Sequence, residues 1–221
     1  MDWKVVTQIA YVASMITVNK IARSIPLEFD AWFQAAVRNV PGFTGICLRR
    51  LIFRLALGRM GDRNVMREGC RLHGARNIRL GHRVTLVGGV ILTATEESSI
   101  EIGDDVAINR NVHIDAAPCG TISIGDDCLV GPNVVMRACN HNFSQVAQPI
   151  RLQGHQSGGI VVGRNVWIGA NVIILPNVTV GENSIVGAGA VVTRNFPAGS
   201  IIGGVPARVL RSRTEARSAT Q

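Results

Sequence analysis

Between Val162 and Phe196 an aliphatic residue returns every six positions, at Val162, Ile168, Ile174, Val180, Val186 and Val192. Four places after each stand Val166, Val172, Val178, Ser184, Ala190 and Phe196, and Gly follows the aliphatic residue at Gly163, Gly169, Gly181 and Gly187. An amphipathic helix needs a period near 3.6 and a half-buried strand a period of 2, so neither accounts for the pattern. A short, fixed repeat marks a solenoid, whose units stack to bury one shared core. Six residues make one short strand and one tight corner, so three such units close a triangular coil of eighteen residues.

The rest of the chain fits a narrow lumen. It has 221 residues, 47% hydrophobic but only 5% aromatic, with 24 Gly; Val, Ile and Gly fill a lumen that large rings would not. Five cysteines (Cys47, Cys70, Cys119, Cys128 and Cys139) form no CxxC pair, and Cys70 and Cys128 fall on core positions of the repeat. That odd, scattered set fits reduced thiols in a cytoplasm better than disulfides or a zinc knuckle. The net charge is +8, carried by 21 Arg and 2 Lys, a balance suited to nucleic acid, an anionic membrane or phosphate-bearing ligands.

Residues 1–60 carry no six-residue signal and are expected to be helical. The apolar run Val5 to Val18 is too short to span a bilayer and lacks the features of a signal peptide. After Pro41-Gly42, Leu48, Leu51, Ile52 and Leu55 take helical spacing, with Arg49, Arg50 and Arg54 on other faces. Such a helix either lies on an anionic membrane surface or packs against the solenoid or a neighbouring subunit.

The period then runs through Leu80, Leu86 and Leu92, through Ile102, Ile108 and Ile114, and through Ile124, Val130 and Met136. The steps from Leu92 to Ile102 and from Ile114 to Ile124 are ten residues, so four extra residues bulge at one corner of successive coils. From Met136 to Val162 the step is 26, so a long loop, residues 137–160, leaves that same corner. Long loops in a compact domain are commonly functional. The repeat domain is expected over 61–211, and residues 212–221 as a disordered tail.

The stretch 162–196, with ACNHNF around His141, VWIGANV from Val166 and GGVPARVL from Gly203, resembles the hexapeptide-repeat acyltransferases, closest to galactoside- and maltose-type and surface-polysaccharide O-acetyltransferases. The resemblance implies a left-handed parallel β-helix, here of about five coils behind an α-helical N-terminal segment. It implies a homotrimer with the active site between subunits, and acetyl-CoA as co-substrate with no metal required. His141 matches the family's general base, which takes a proton from an acceptor hydroxyl as that hydroxyl attacks the thioester directly; imidazole titrates in the range this step needs. Asn109 falls where the galactoside enzymes keep an acceptor-binding Asn, and Asp115 near their acceptor-binding Asp, two places off. His113 is a third candidate beside them, and His155 a loop residue placed to cover the site. For the donor, the resemblance places Trp167 near the thiol end, Ala170, Gly187 and Ala188 along the pantetheine, and Thr193, Arg194, Arg208 and Arg211 at the nucleotide and phosphates.

These matches imply an O-acetyltransferase acting on a sugar hydroxyl of a glycan or polysaccharide precursor, cytoplasmic or at the inner face of the membrane, with no nucleic-acid partner. N-acetylation of a nucleotide-linked amino sugar and antibiotic acetylation lie in the same class. Outside it stand a γ-type carbonic anhydrase, which needs three His ligands on zinc, and a non-catalytic β-helix scaffold. His113, His141 and His155 are not spaced as such a zinc site requires. No Walker loop, dinucleotide fingerprint or zinc-binding Cys/His cluster is present.

Overall fold

The computed structural model describes residues 35–95 and 97–213; the apolar run at Val5 to Val18 and the tail from residue 214 lie outside them. The chain divides into two compact units, residues 1–40 and 41–221. Of the first, the described part is residues 35–40, with a helical turn over 35–38.

The second unit is a parallel β-solenoid whose coils contribute one short strand to each of three sheets. Face A runs from Arg59–Met60 through Ile78–Leu80, Ser99–Ile102, Thr121–Ile124 and Gly159–Val162 to Val178–Val180. Face B runs from Val65–Met66 to Ile185–Val186, and face C from Arg71–His73 to Val191–Val192. Six strands on faces A and C make about six coils, one more than the sequence count. The additional coil carries the same spacing in Met60, Met66 and Leu72, where methionine had hidden it.

Registers are direct: Leu80 sits beside Ile102, Ile124 beside Val162, and Val162 beside Val180. The whole period-six series from Leu80 to Val192 is buried, as is the second series two residues before it, from Ile78 through Val84, Val90 and Val106. Cys70 and Cys128 lie in that second series, and burial pushes the Cys70 thiol up to about 11.

Corners explain the polar residues between strands. Asp105, Asn111, Asp127, Asn133, Asn165, Asn171, Asn177 and Asn183 all have φ near +60°, a conformation that Asn and Asp tolerate better than other non-glycine residues. Stacked corners also bond to each other. Asn133 Nδ2 donates to Asn171 Oδ1 at 3.1 Å and Asn165 Nδ2 to Asn183 Oδ1 at 2.7 Å.

Helix α1 (Gly42–Ala56) sits over the first coil. It packs there by Gly45, Arg49 and Phe53, not by its leucines. Arg49 is fully buried, its Nε donating to Met66 O at 2.9 Å with Glu68 at 3.9 Å. Arg50 Nε donates to Asn64 O at 2.9 Å. A buried guanidinium needs acceptors, and the first coil presents them where the helix lands. At the other end, Ser200–Gly203 continues face B in parallel and Arg208–Ser212 turns back on it antiparallel.

Candidate active site

Every insertion between coils leaves from the corner where face C returns to face A. The shorter ones lie at residues 74–77, 94–98 and 116–120, and the long one at residues 138–158. The long loop begins as a continuation of the solenoid: Ala138 N donates to Asp115 O of the coil below at 2.9 Å. It then forms a two-stranded antiparallel arm, Cys139–His141 against His155–Ser157. Within that arm His141 and His155 are register partners, and their exposed rings lie 4.4 Å apart, tilted by 38°. His155 therefore covers His141 from within the same chain. A second imidazole against its ring restricts the directions from which a proton donor reaches His141.

Gln153 braces the rest of the loop. Its Nε2 donates to Gln145 O at 2.9 Å and Gln148 O at 2.7 Å, and its Oε1 accepts from Gln145 N at 3.0 Å. Asn142 Nδ2 in turn donates to Gln153 O at 3.0 Å. Nothing in the sequence singles out this glutamine, because an aperiodic loop leaves no spacing from which to argue.

The acceptor candidates do not converge at one point. Asp115 is close to the arm, but its carboxylate is held by Arg137 Nη1 at 2.6 Å and caps Ala117 N at 3.0 Å. His113 is exposed on face C between Ile91 and Val135. Asn109 lies at the corner between faces B and C, its Oδ1 accepting from Arg110 N at 2.8 Å. Six residues of chain, one edge of the triangle, separate Asn109 from Asp115; fully extended they span about 20 Å at most.

The donor candidates form two groups. Trp167, 54% exposed, stands on the outer side of face B between Leu129 and Ile185. Ala170, Gly187 and Ala188 follow at the B–C corner on adjoining coils, where Gly189 N donates to Ala170 O at 2.8 Å and Gly187 N to Ile202 O at 2.7 Å. Arg208 and Arg211 continue this surface opposite Gly203 and Ile201. Thr193 and Arg194 lie elsewhere, past the last strand of face C, with the Arg194 guanidinium 5.5 Å over Phe196.

In a triangular section the C–A corner is opposite face B. One chain thus carries His141 and Trp167 on opposite sides of its solenoid. One contact near the arm was not visible in the sequence: Cys119 Sγ and Cys139 Sγ are 3.4 Å apart, and their mutual contact together with burial raises the Cys119 thiol. Among the described residues, no group of three or more His, Cys, Asp or Glu side chains is arranged to hold a metal ion.

Known proteins share these features. Residues 159–194 match the family described as bacterial transferase hexapeptide (six repeats), and residues 121–136 the hexapeptide repeat of succinyl-transferase. WbbJ of Escherichia coli K12, to which the role of lipopolysaccharide-biosynthesis O-acetyl transferase is attributed, is 30% identical over 177 residues, 76% of this chain and 89% of that protein. A structure of galactoside acetyltransferase in complex with coenzyme A matches with a TM-score of 0.62 at 25% identity, over 88% of this chain and 85% of that one. A hexapeptide-repeat acetyltransferase of Vibrio cholerae in complex with acetyl-coenzyme A matches at 0.57 and 27% identity, over 82% and 84%. The chain belongs to the hexapeptide-repeat acyltransferases.

Proposed function

We propose that this enzyme transfers an acetyl group from acetyl-CoA to a hydroxyl of a carbohydrate, with His141 as general base. The observation that carries the reading is His141 itself. It is an exposed imidazole at the start of the solenoid's longest excursion, held on a paired arm and covered on one side by His155. The names of WbbJ and of the galactoside enzyme support an O-acetyl acceptor, and the coenzyme A and acetyl-coenzyme A complexes support the donor.

In this reading the acceptor oxygen attacks the thioester carbonyl while the unprotonated ring nitrogen of His141 takes its proton. The tetrahedral intermediate then collapses with loss of the CoA sulfur, which receives that proton from the imidazolium. The products are an ester and free CoA, and no group on the enzyme is acylated. Hydrogen-bond donors aimed at the carbonyl oxygen would carry the transient negative charge.

The site is completed between subunits of a homotrimer. The outer side of face B is apolar at Leu129 and Trp167 and that of face C at Val135 and Ile173, whereas face A carries polar residues such as the Arg79–Glu101 pair. Packing face B of one subunit towards the C–A corner of another would bring a donor surface to a His141 that its own chain holds on the far side.

The test is acetyl transfer to a panel of glycosides and oligosaccharides, read by mass gain and CoA release. His141→Ala should lower turnover by roughly 10²–10⁴-fold, the usual share of a general base, while calorimetry shows unchanged CoA affinity. Turnover that survives the substitution would remove His141 as the base, and a folded protein that binds no CoA would overturn the whole reading.

A further inference from the structure

Helix α1 is turned against its own hydrophobic pattern. Phe43, Cys47, Leu51 and Leu55 repeat every four residues along one side, and that side faces away from the solenoid: Phe43 is 80%, Leu51 61% and Leu55 83% exposed. The opposite side is fixed by buried Arg49, by Arg50 bonded to Asn64 O, and by Phe53. Rolling the leucines inward would tear Arg49 from its acceptor.

Charge is concentrated at the same end. Residues 42–80, which make α1 and the first coil, contain nine Arg against Asp62 and Glu68, so seven of the chain's eight net positive charges lie there. From residue 81 onward, ten Arg are balanced by ten acidic residues. Arg59, Arg63, Arg67, Arg71 and Arg76 of the first coil are exposed. Arg54 is partly neutralised by Asp62 at 3.1 Å.

We propose that this end of the solenoid is a docking surface for an anionic phospholipid membrane, with the Phe43–Leu55 side of α1 entering the interface and the first-coil arginines meeting lipid headgroups. An anionic polymer would match the arginines but leave the apolar stripe in water, and an uncharged apolar partner would do the reverse. A second copy docked end to end would set two strongly positive surfaces against each other. An anionic bilayer satisfies both features, because its headgroups attract arginine and its acyl boundary accepts apolar side chains.

The experiment is co-sedimentation of the full chain, without acetyl-CoA, with vesicles of phosphatidylcholine alone and of phosphatidylcholine mixed with phosphatidylglycerol. Binding is expected with the anionic vesicles and is expected to weaken as salt is raised. Leu51→Ser/Leu55→Ser should lower the partition coefficient at least tenfold, on the order of the transfer energy of exposed leucines. Each of Arg63→Gln, Arg67→Gln and Arg71→Gln should lower it about fivefold. All these side chains are exposed, so circular dichroism melts should match the parent. No binding to either vesicle, equal binding to both, or unchanged binding of the leucine variant would overturn the proposal. So would a parent oligomer that the leucine variant dissociates in the absence of lipid, which would make the stripe a contact between copies. CoA titration of the same samples reports separately on the acyl-transfer reading.

Discussion

Replacing Gly169 with alanine should separate two coils. Gly169 is buried at the start of the B–C corner, and a methyl added there would stand 2.6 Å from Ala188 N and 2.9 Å from Val186 O of the next coil. Both are backbone atoms and cannot rotate away as a side chain would. Opening the tightest of these contacts to an ordinary 3.4 Å would stretch the two rungs beside it, Gly169 N to Val186 O and Gly189 N to Ala170 O, both now 2.8 Å, past hydrogen-bonding distance. Each rung contributes about 0.5–1.5 kcal/mol net, so losing two costs about 1–3 kcal/mol, and the desolvation of the buried backbone groups left unpaired adds to that. Gly189→Ala supplies the contrast. Gly189 has φ +72° with nothing within 4 Å of an added methyl, so its substitution costs only backbone strain, about 1–2 kcal/mol. Urea unfolding followed by circular dichroism would rank the two variants. Hydrogen exchange should show the loss of protection confined to the last coils, because each coil is stabilised by its neighbours. If Gly189→Ala proved equally or more destabilising, close stacking at Gly169 would not be what requires glycine there.

Arg211→Ala should raise the KM for acetyl-CoA more than it lowers kcat, as expected when a contact is lost equally from ground and transition states; an unchanged KM would take Arg211 out of the donor site. Cys70, raised to about 11 by burial, should make the fold less stable as pH rises from about 9 to 11. The unfolded thiol ionises first over that range, so the unfolded state binds fewer protons. Urea midpoints measured over that range should fall in the parent and fall less in Cys70→Val. At neutral pH, exposed Cys47 should react with N-ethylmaleimide well before buried Cys70; equal rates by mass spectrometry would contradict their burial.

The repeat alone was enough to place the core. Every period-six aliphatic residue from Leu80 to Val192 points inward, because a strand of fixed register sends alternate side chains to one side and each corner resets the count. The corner from which the long loop departs was equally legible, since it appears as a change of step at Met136 and the solenoid continues at Val162. His141 lies just past that change of step, but its assignment as the base came from the resemblance of ACNHNF to the family's motif and not from the spacing.

Orientation was not legible. Spacing marks a stripe of leucines on α1 without saying which side meets the solenoid. Arg49 can be buried only because Met66 O and Glu68 are supplied by another coil. Nor could aperiodic sequence show that His155 folds back onto His141, that Gln153 holds the loop, or that Cys119 meets Cys139. Those contacts depend on antiparallel pairing inside the loop and on insertions from successive coils meeting at one corner. The sequence by itself determined a triangular parallel solenoid, its inward residues and the corner that carries the long loop. Only the tertiary structure decided that His155 lies against His141 and that Arg49, not the leucines of α1, is buried, because a repeat fixes each residue's place within its coil, while the contacts of an aperiodic loop and a flanking helix depend on how those segments fold back.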